Sequence, residues 1–464
     1  MIDRVKVETY GEVLTSPNIV SDILDIIPMD ILKNGSIYEP GFGTGNFIIG
    51  IMDKLHIREE EDFIDVLKRI KGVELQHDNV VITHTRLLEY AINHYGIVDV
   101  DGIRQILNTN LVQGDYLSID VEPCNLVLSN PPYQDSTNKN GAGGGKSLYH
   151  FFLDKAIEQS NKYVAFIIPS SWMQGYPKGI KHTWVDNLRS NTNLVEIHDY
   201  KDAHDVFLSV TINSGVDYFL IDKEKTTKDC KFYIHTENKK ECIDITLTGR
   251  ELFRDKYAYE MYNCIEQDIQ EHNFSELVGG KEYFTKPAKI MHTNWKEYTL
   301  KRQDDESIYY LANFNRHKVD IDIAYVQPNQ VVKNVGSINR PKLYESSAVF
   351  YTQKRVIDKP RLIVEPSVCS ESFIPIFSET DSVEELKNIS KYMQTKFFRY
   401  LVYMMKKDQS LPNTVYKLVP LQNFNDTSDI QWFRDIKDID NQLYVKYNIS
   451  KDLQEHINNL IEEL

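Results

Sequence analysis

The chain has 464 residues, 41% hydrophobic and 26% charged, a globular composition too long for one ordinary domain. A net charge of −15 excludes a uniformly basic nucleic-acid binder, and no apolar run approaches the length of a membrane span. The five cysteines are scattered with no CxxC pair, and the N-terminus is no signal peptide, so a cytoplasmic protein without a metal site or disulfide framework is expected.

Residues 10–33 read as an amphipathic helix with Thr15 or Ser16 at its cap, Pro17 in its first turn and Ile19, Ile23, Leu24, Ile26 and Ile27 on one face. It is either an ordinary N-terminal helix or one whose N-terminus and Thr15 hydroxyl bind an anionic group. A short strand then runs through Glu39-Pro40 into a glycine loop, Gly41, Gly43 and Gly45, that opens an apolar helix. Such glycines let a ligand approach the backbone. Glu39 just before them repels a pyrophosphate and suits the positive end of a zwitterionic cofactor.

A second strand ends in Glu74, the placement of a carboxylate that accepts two ribose hydroxyls, and a third ends in Asp115. One acidic residue at a strand end is commonly a solvated loop charge. Three in register, on three successive strands, mark a ligand crevice. The fourth strand delivers Asn130-Pro131-Pro132-Tyr133.

Two prolines hold that tetrapeptide stiff. The Asn130 side-chain oxygen and the Pro131 carbonyl can each accept one N–H from a planar amino group. Drawing that nitrogen toward tetrahedral geometry frees a lone pair otherwise delocalised, while Tyr133 stacks on the planar group. The chemistry suited is methyl transfer to an exocyclic or amide nitrogen. The plainer alternative is a rigid Pro-Pro turn.

The loop that follows, QDSTNKNGAGGGKS, lacks the glycine that a P-loop needs at Asn140, so it reads as a substrate-gating segment rather than a nucleotide site. Helix and strand alternate up to VFLSVTINSGVDYFLID, which reads as a β-hairpin-like end to the sheet with Phe207 at its entry. The expected division is a catalytic domain over 1–225, a helical connector over 226–273, an irregular α+β domain over 274–420 and a helical tail over 421–464. From Phe274 to Ser370 there are 15 Lys and Arg against 11 Asp and Glu, a local excess of four (15 − 11) that leaves −19 on the rest.

In order, GEVLTSP, EPGFGTGNF, GVELQ, GDY, NPPY and VFLSVTINSGV resemble the motifs of the γ-group DNA adenine-N6 methyltransferases of restriction-modification systems. The match covers roughly the first half of the chain. KLVPLQNF and QLYVKYNIS are similar, more loosely, to the ends of such methylases. The resemblance implies a seven-stranded, mostly parallel, Rossmann-like methyltransferase sheet flanked by helices, followed by a C-terminal α+β target recognition domain.

It also implies S-adenosylmethionine as cofactor, with Thr15 at its carboxylate, Glu39 at its amino group, Pro40, Gly41 and Gly43 in the loop beneath, and Glu74 on the ribose. Asp115 would take the adenine amino group, between Phe47 and Tyr116. Asn130, Pro131, Pro132 and Tyr133 would hold a flipped target adenine, with Phe207 against its other face. Ser16 departs from the proline frequent in the family. The implied partner is double-stranded DNA, with no membrane and no metal. The chain starts almost at its first motif, so a restriction endonuclease is expected as a separate partner where one exists. Methylation of RNA, methylation of a protein glutamine side chain, and a non-catalytic DNA-recognition subunit are the competing readings. The long C-terminal half argues against the glutamine enzymes.

Overall fold

The computed structural model describes residues 15–59, 62–97, 100–135, 146–207, 212–236, 239–285, 291, 295–312, 323–349, 354–406 and 409–464. The expected gating loop, 136–145, and most of the hydroxyl-rich stretch after Phe207 lie outside these residues. The chain forms two compact units, Met1–Lys256 and Tyr257–Leu464.

The first unit is built on one sheet. Its strands are β1 (Ile37–Pro40), β2 (Ile70–Glu74), β3 (Leu111–Gln113), β4 (Cys124–Ser129), β5 (Ser160–Pro169), β6 (Leu194–Tyr200), β7 (Val216–Asp222), β8 (Asp229–Thr236) and β9 (Lys239–Thr246). Their order is β9-β8-β6-β7-β5-β4-β1-β2-β3. Neighbours pair in parallel except around β7 and β9, which run against the others. The central strands are short apolar runs buried along nearly their whole length, as expected where helices cover both faces.

Two expectations are corrected here. The sheet has nine strands rather than seven, because β8 and β9 lie in the span expected to be a helical connector. On β8 only Cys230, Phe232 and Ile234 are buried, alternating with exposed or half-buried residues, the period of a strand with one covered face. β9 is mostly exposed and carries Lys239, Lys240, Glu241 and Asp244, charges that discourage further strand addition at an edge. The expected hairpin before Asp222 is instead a single strand, β7, inserted antiparallel between β5 and β6, preceded by a 3-10 turn at Ala203–Asp205.

Helices α1 (Pro17–Asp25), α2 (Met29–Asn34) and α3 (Asn46–Glu59) flank the glycine loop. α1 buries Ile19, Val20, Ile23 and Leu24. It packs closely on α3 because Gly50 has no side chain: a Cβ there would stand 2.4 Å from Val20 Cγ1. α4 (Phe63–Arg69), α5 (His77–Tyr95), α6 (Asp101–Asn110), α7 (Tyr149–Gln159) and α8 (His182–Arg189) complete the layers.

The second unit is α+β. After α9 (Lys256–Glu271) come β10 (Ile308–Leu311), β11 (Ile323–Val326), β12 (Lys342–Ser346), β13 (Arg361–Ile363), β14 (Ser367–Cys369) and β15 (Phe373–Ile376). They form two three-stranded sheets, β11-β10-β14 and β13-β12-β15. Tyr310, Leu311, Ala324, Tyr344 and Val368 belong to their common core. Four helices follow, α10 (Val383–Gln394), α11 (Lys396–Met405), α12 (Ile436–Lys446) and α13 (Lys451–Leu460). The first two fall inside the stretch expected to be irregular. Among the described residues no helix is long and apolar enough to cross a membrane. Nor do His, Cys, Asp and Glu gather there in threes fit to hold a metal ion.

Candidate active site at the strand ends

Parallel strands β2, β1 and β4 lie side by side, and their carboxyl ends deliver Glu74, Glu39-Pro40 and Asn130 to one edge. Between the first two, the loop after β1 turns through Gly41, Gly43 and Gly45, whose φ values are 67°, 51° and 79°. Only glycine adopts that left-handed conformation in succession without strain. The loop is braced from several sides. Gly43 N–H donates to Glu74 Oε2 at 2.9 Å, and Thr83 Oγ1 donates to the Gly43 carbonyl at 2.9 Å. Arg86 Nη1 reaches the Thr44 carbonyl and Asn46 Oδ1.

Glu74 also accepts from Gln76 N–H at 2.8 Å, so each carboxylate oxygen is engaged by the backbone. Glu39 differs. It is 2% exposed, and its Oε2 has no hydrogen-bond partner. Burial, with Glu74 nearby, pushes its carboxyl well above the usual range. A buried acceptor left open beside a glycine loop fits an ammonium group, which would both satisfy and ionise it.

At the end of β4, Ser129 Oγ donates to the Pro40 carbonyl at 2.6 Å, tying the two strand ends together. Asn130 Nδ2 donates to Thr15 Oγ1 at 3.1 Å. Thr15 is 4% exposed, and its carbonyl accepts from Asn46 Nδ2 at 2.8 Å. Thus Thr15 serves the tetrapeptide and the glycine loop, and Ser16, at the N-cap of α1, makes no side-chain cap bond. The capping expectation is corrected on that point.

Pro131 is buried, Pro132 half-buried, and the Tyr133 ring is packed edge-on against Phe207 and Tyr149, with centroids 6.5 and 6.4 Å away. The Tyr133 hydroxyl has no hydrogen-bond partner. Burial and the nearby Asp217 push the phenol well up. Asp217 is itself fully buried on β7, holding Trp172 Nε1 at 3.0 Å with one oxygen while the other is unpartnered. Burial and the neighbouring Asp199 keep its carboxyl well above the usual range.

Other expected residues are placed differently. Asp115 is exposed and caps its own turn, accepting from Leu117 N–H at 3.0 Å and Ser118 Oγ at 2.6 Å. Phe47 and Tyr116 are core residues, 3% and 2% exposed. Tyr116 packs on Tyr38 and Phe152 at 5.9 and 5.3 Å, and its hydroxyl donates to Gln159 at 2.8 Å. Neither ring is an open platform.

Sequence reasoning missed three residues here. Leu75, directly after Glu74, is 59% exposed at the carboxyl end of β2. Phe152 Cε1 and Pro132 Cδ each stand 4.0 Å from where a Gly41 Cβ would be, so that ring and the tetrapeptide both border the loop. Asp217 is the third. An exposed leucine following a strand-end carboxylate was a readable signal; a helix residue and a strand aspartate brought in by the fold were not.

Residues 69–207 match the model of the Eco57I restriction-modification methylase family. Over 132 residues the chain is 33% identical to a protein of Mycoplasma pneumoniae described as an uncharacterized adenine-specific methylase, covering 28% of this chain and 30% of that one. Over 171 residues it is 26% identical to a type II restriction enzyme and methyltransferase, RM.BcgI, of Heyndrickxia coagulans, covering 36% and 24%. The matched regions therefore span less than a third of either relative. Among solved structures, the type IIL restriction-modification enzyme MmeI in complex with DNA aligns over 99% of this chain and 79% of its own, at 11% identity and a TM-score of 0.45. The type IIG restriction endonuclease BpuSI aligns over 97% and 66%, at 10% identity and a TM-score of 0.44. Over residues 69–207 the chain is thus similar to the restriction-modification methylases whose motifs it resembles.

Proposed function

We propose that this protein methylates the N6 amino group of adenine in duplex DNA, with S-adenosylmethionine as donor, in a restriction-modification setting. The observation that carries the reading is the adjacency of two features at one sheet edge: the open, buried Glu39 carboxylate and the Asn130–Tyr133 segment, linked through Ser129 to Pro40 and through Thr15 to the glycine loop.

Glu39 would hold the cofactor's ammonium and Glu74 its ribose hydroxyls, over Pro40, Gly41 and Gly43. Thr15 would lie at its carboxylate and Leu75 beside its adenine, with Asp115 at the rim where the adenine amino group would lie. The cofactor supplies an electrophilic methyl group. The chain supplies position and polarisation. Asn130 Oδ1 and the Pro131 carbonyl accept the two N–H bonds of the target amine, and Pro132 keeps the segment stiff. The two acceptors would draw the nitrogen toward pyramidal geometry and free its lone pair for the methyl group, the methyl–sulfur bond breaking with release of the thioether as the N–C bond forms and the surplus amine proton passing to solvent.

Tyr133 stacks on the extruded base, and Phe207 must open from its present edge-on packing to cover the other face. Extrusion costs about a few kcal/mol of unpairing and unstacking. Residues 274–420 would read sequence through base edges in the grooves. A partner endonuclease is compatible with this setting.

Transfer of labelled methyl groups to unmethylated plasmid tests the activity, and modification-sensitive sequencing of DNA from cells expressing the chain gives the target. Label on RNA or on a glutamine side chain, with none on DNA, overturns the reading.

A further inference from the structure

In the second unit, residues 354–361 carry four exposed cations, Lys354, Arg355, Lys359 and Arg361, around one acid, Asp358, which is ion-paired to Arg355 at 3.0 Å. A basic run is ordinarily a solvated face. This one is held from beneath by buried polar side chains.

Three consecutive carbonyls of the segment are drawn inward. Glu462 N–H donates to Lys354 O at 3.2 Å, Arg399 Nη1 to Arg355 O at 3.3 Å and Lys406 Nζ to Val356 O at 2.9 Å. Lys406 Nζ also holds the Val349 carbonyl at 2.8 Å, and Asp358 N–H donates to Glu345 Oε1 at 3.0 Å. Arg399, Lys406 and Glu345 are 1%, 6% and 0% exposed. Burying cations is costly, and Arg399, which also holds the Gln394, Thr395 and Glu462 carbonyls, and Lys406 each give one bond to this stretch, while burial pushes the Glu345 carboxyl well above its usual range.

The backbone they hold is strained. Val356 has φ 71°, and Ile357 N–H donates to Arg355 O at 2.8 Å, closing a three-residue turn about it. A β-branched residue rarely adopts that conformation, and it persists only where the surroundings enforce it. With the carbonyls turned in, the cationic side chains project outward from a stiff base. At the far end the Arg361 guanidinium lies over the Phe373 ring, 5.5 Å from its centroid. Preorganised cations at short intervals lose little freedom on meeting a row of anions.

We propose that the 354–361 loop is a docking surface for the phosphate backbone of duplex DNA, an inference that rests on the DNA-methylation reading above. The segment itself carries four cations and one acid, +3, within a chain of −15, with exposed Glu462 beside Lys354 as a further acid at its edge. Phosphate contact gives register and affinity without reading sequence.

The test is duplex binding by the full chain, measured by anisotropy of a labelled duplex across a salt series. In the triple variant Lys354→Ala, Lys359→Ala, Arg361→Ala, each lost phosphate contact should reduce the slope of log K against log salt by about 0.9, or about 2.7 in all. The affinity lost between about 50 and 200 mM salt should then be roughly 40-fold smaller than for the parent chain. Specific and random duplexes should be weakened alike, and S-adenosylmethionine binding by calorimetry should be unchanged. The charge-conserving triple Lys354→Arg, Lys359→Arg, Arg361→Lys should keep the parent slope. An alanine triple with the parent slope overturns the loop and leaves the DNA reading standing. Weakening confined to one sequence also overturns it, since the residues would then read bases. A parent chain with no salt-dependent duplex binding overturns both.

Discussion

Asn130 and Glu39 divide the site's work, and their substitutions should separate. On the proposed reading, Asn130→Ala removes one of two acceptors on the target amine and the bond to Thr15 Oγ1, and leaves Glu39, Glu74 and the Thr15 carbonyl to Asn46 bond in place. Single-turnover methylation should slow by roughly 10²–10³, as for loss of one preorganised polar group elsewhere, with cofactor and DNA binding retained. Near-normal chemistry would reduce the tetrapeptide to a turn. Glu39→Gln should behave in the opposite sense. The folded carboxyl is raised, so the unliganded protein loses stability as pH rises from the unfolded value of about 4.3 toward the folded one. Glutamine removes that penalty. Thermal melts of the unliganded variant should be unchanged or higher at neutral pH, while S-adenosylmethionine binds about 1–3 kcal/mol more weakly. A variant that melts lower and binds equally well would take Glu39 out of the cofactor site.

At the scale of elements, the glycine loop is held in shape by β2 and α5 as well as by its own Gly45 N–H to Phe42 carbonyl bond. Glu74→Ala takes away the carboxylate that receives Gly43 N–H and Gln76 N–H, so the loop loosens as well as losing its ribose acceptor. Cofactor affinity should fall by about 1–3 kcal/mol, and unchanged calorimetry would exclude the assigned role. The α1–α3 contact makes a separate prediction with no ligand involved. Gly50→Val pushes a branched side chain into Val20 and Leu24, whose nearest atoms stand only 2.4 and 3.3 Å from where its Cβ would sit. Overpacking of that kind costs about 1–3 kcal/mol, and it should appear in urea melts as a lower midpoint with an unchanged slope.

For the molecule as a whole, the buried cations of the second unit set a pH dependence that surface charge does not. Lys342, fully buried, donates to the Ile338 and Ser367 carbonyls at 3.0 and 3.2 Å, and burial pushes its ammonium down to about 8. The unfolded lysine still binds its proton up to about 10.4, so between about 8 and 10.4 the unfolded state carries more protons and stability rises with pH. The span is worth roughly 3 kcal/mol. Lys342→Met removes the term, so the parent-minus-variant difference in denaturant stability should climb through that window. A flat difference would mean that the ammonium is not destabilised in the fold.

Much of the site was legible because its parts are local in the chain. A strand that ends in a carboxylate, a run of glycines before a helix, and Asn130-Pro131-Pro132-Tyr133 each announce themselves within a few residues. Strand alternation placed Glu39, Glu74 and Asn130 on one edge, because parallel strands joined by helices bring their carboxyl ends together. What each side chain then meets is a matter of distance in space. Thr15 and Asn130 are bonded across 115 positions of sequence. Phe152 and Asp217 arrive from elements that carry no motif. Tyr116 and Phe47, aromatic and near the loop, are buried in the core, Tyr116 against Tyr38 and Phe152. The nine-stranded sheet was misjudged for a related reason: the three apolar residues of β8 alternate with Asp229, Lys231, Tyr233 and His235, and a pattern that short becomes a strand only when β6 offers an edge to pair with. Sequence alone determined which chemistry the strand ends could assemble. Tertiary structure decided which carboxylate stays open, which rings are spent on the core, and where buried charge stiffens a basic loop, since burial and partnership are properties of the packed molecule.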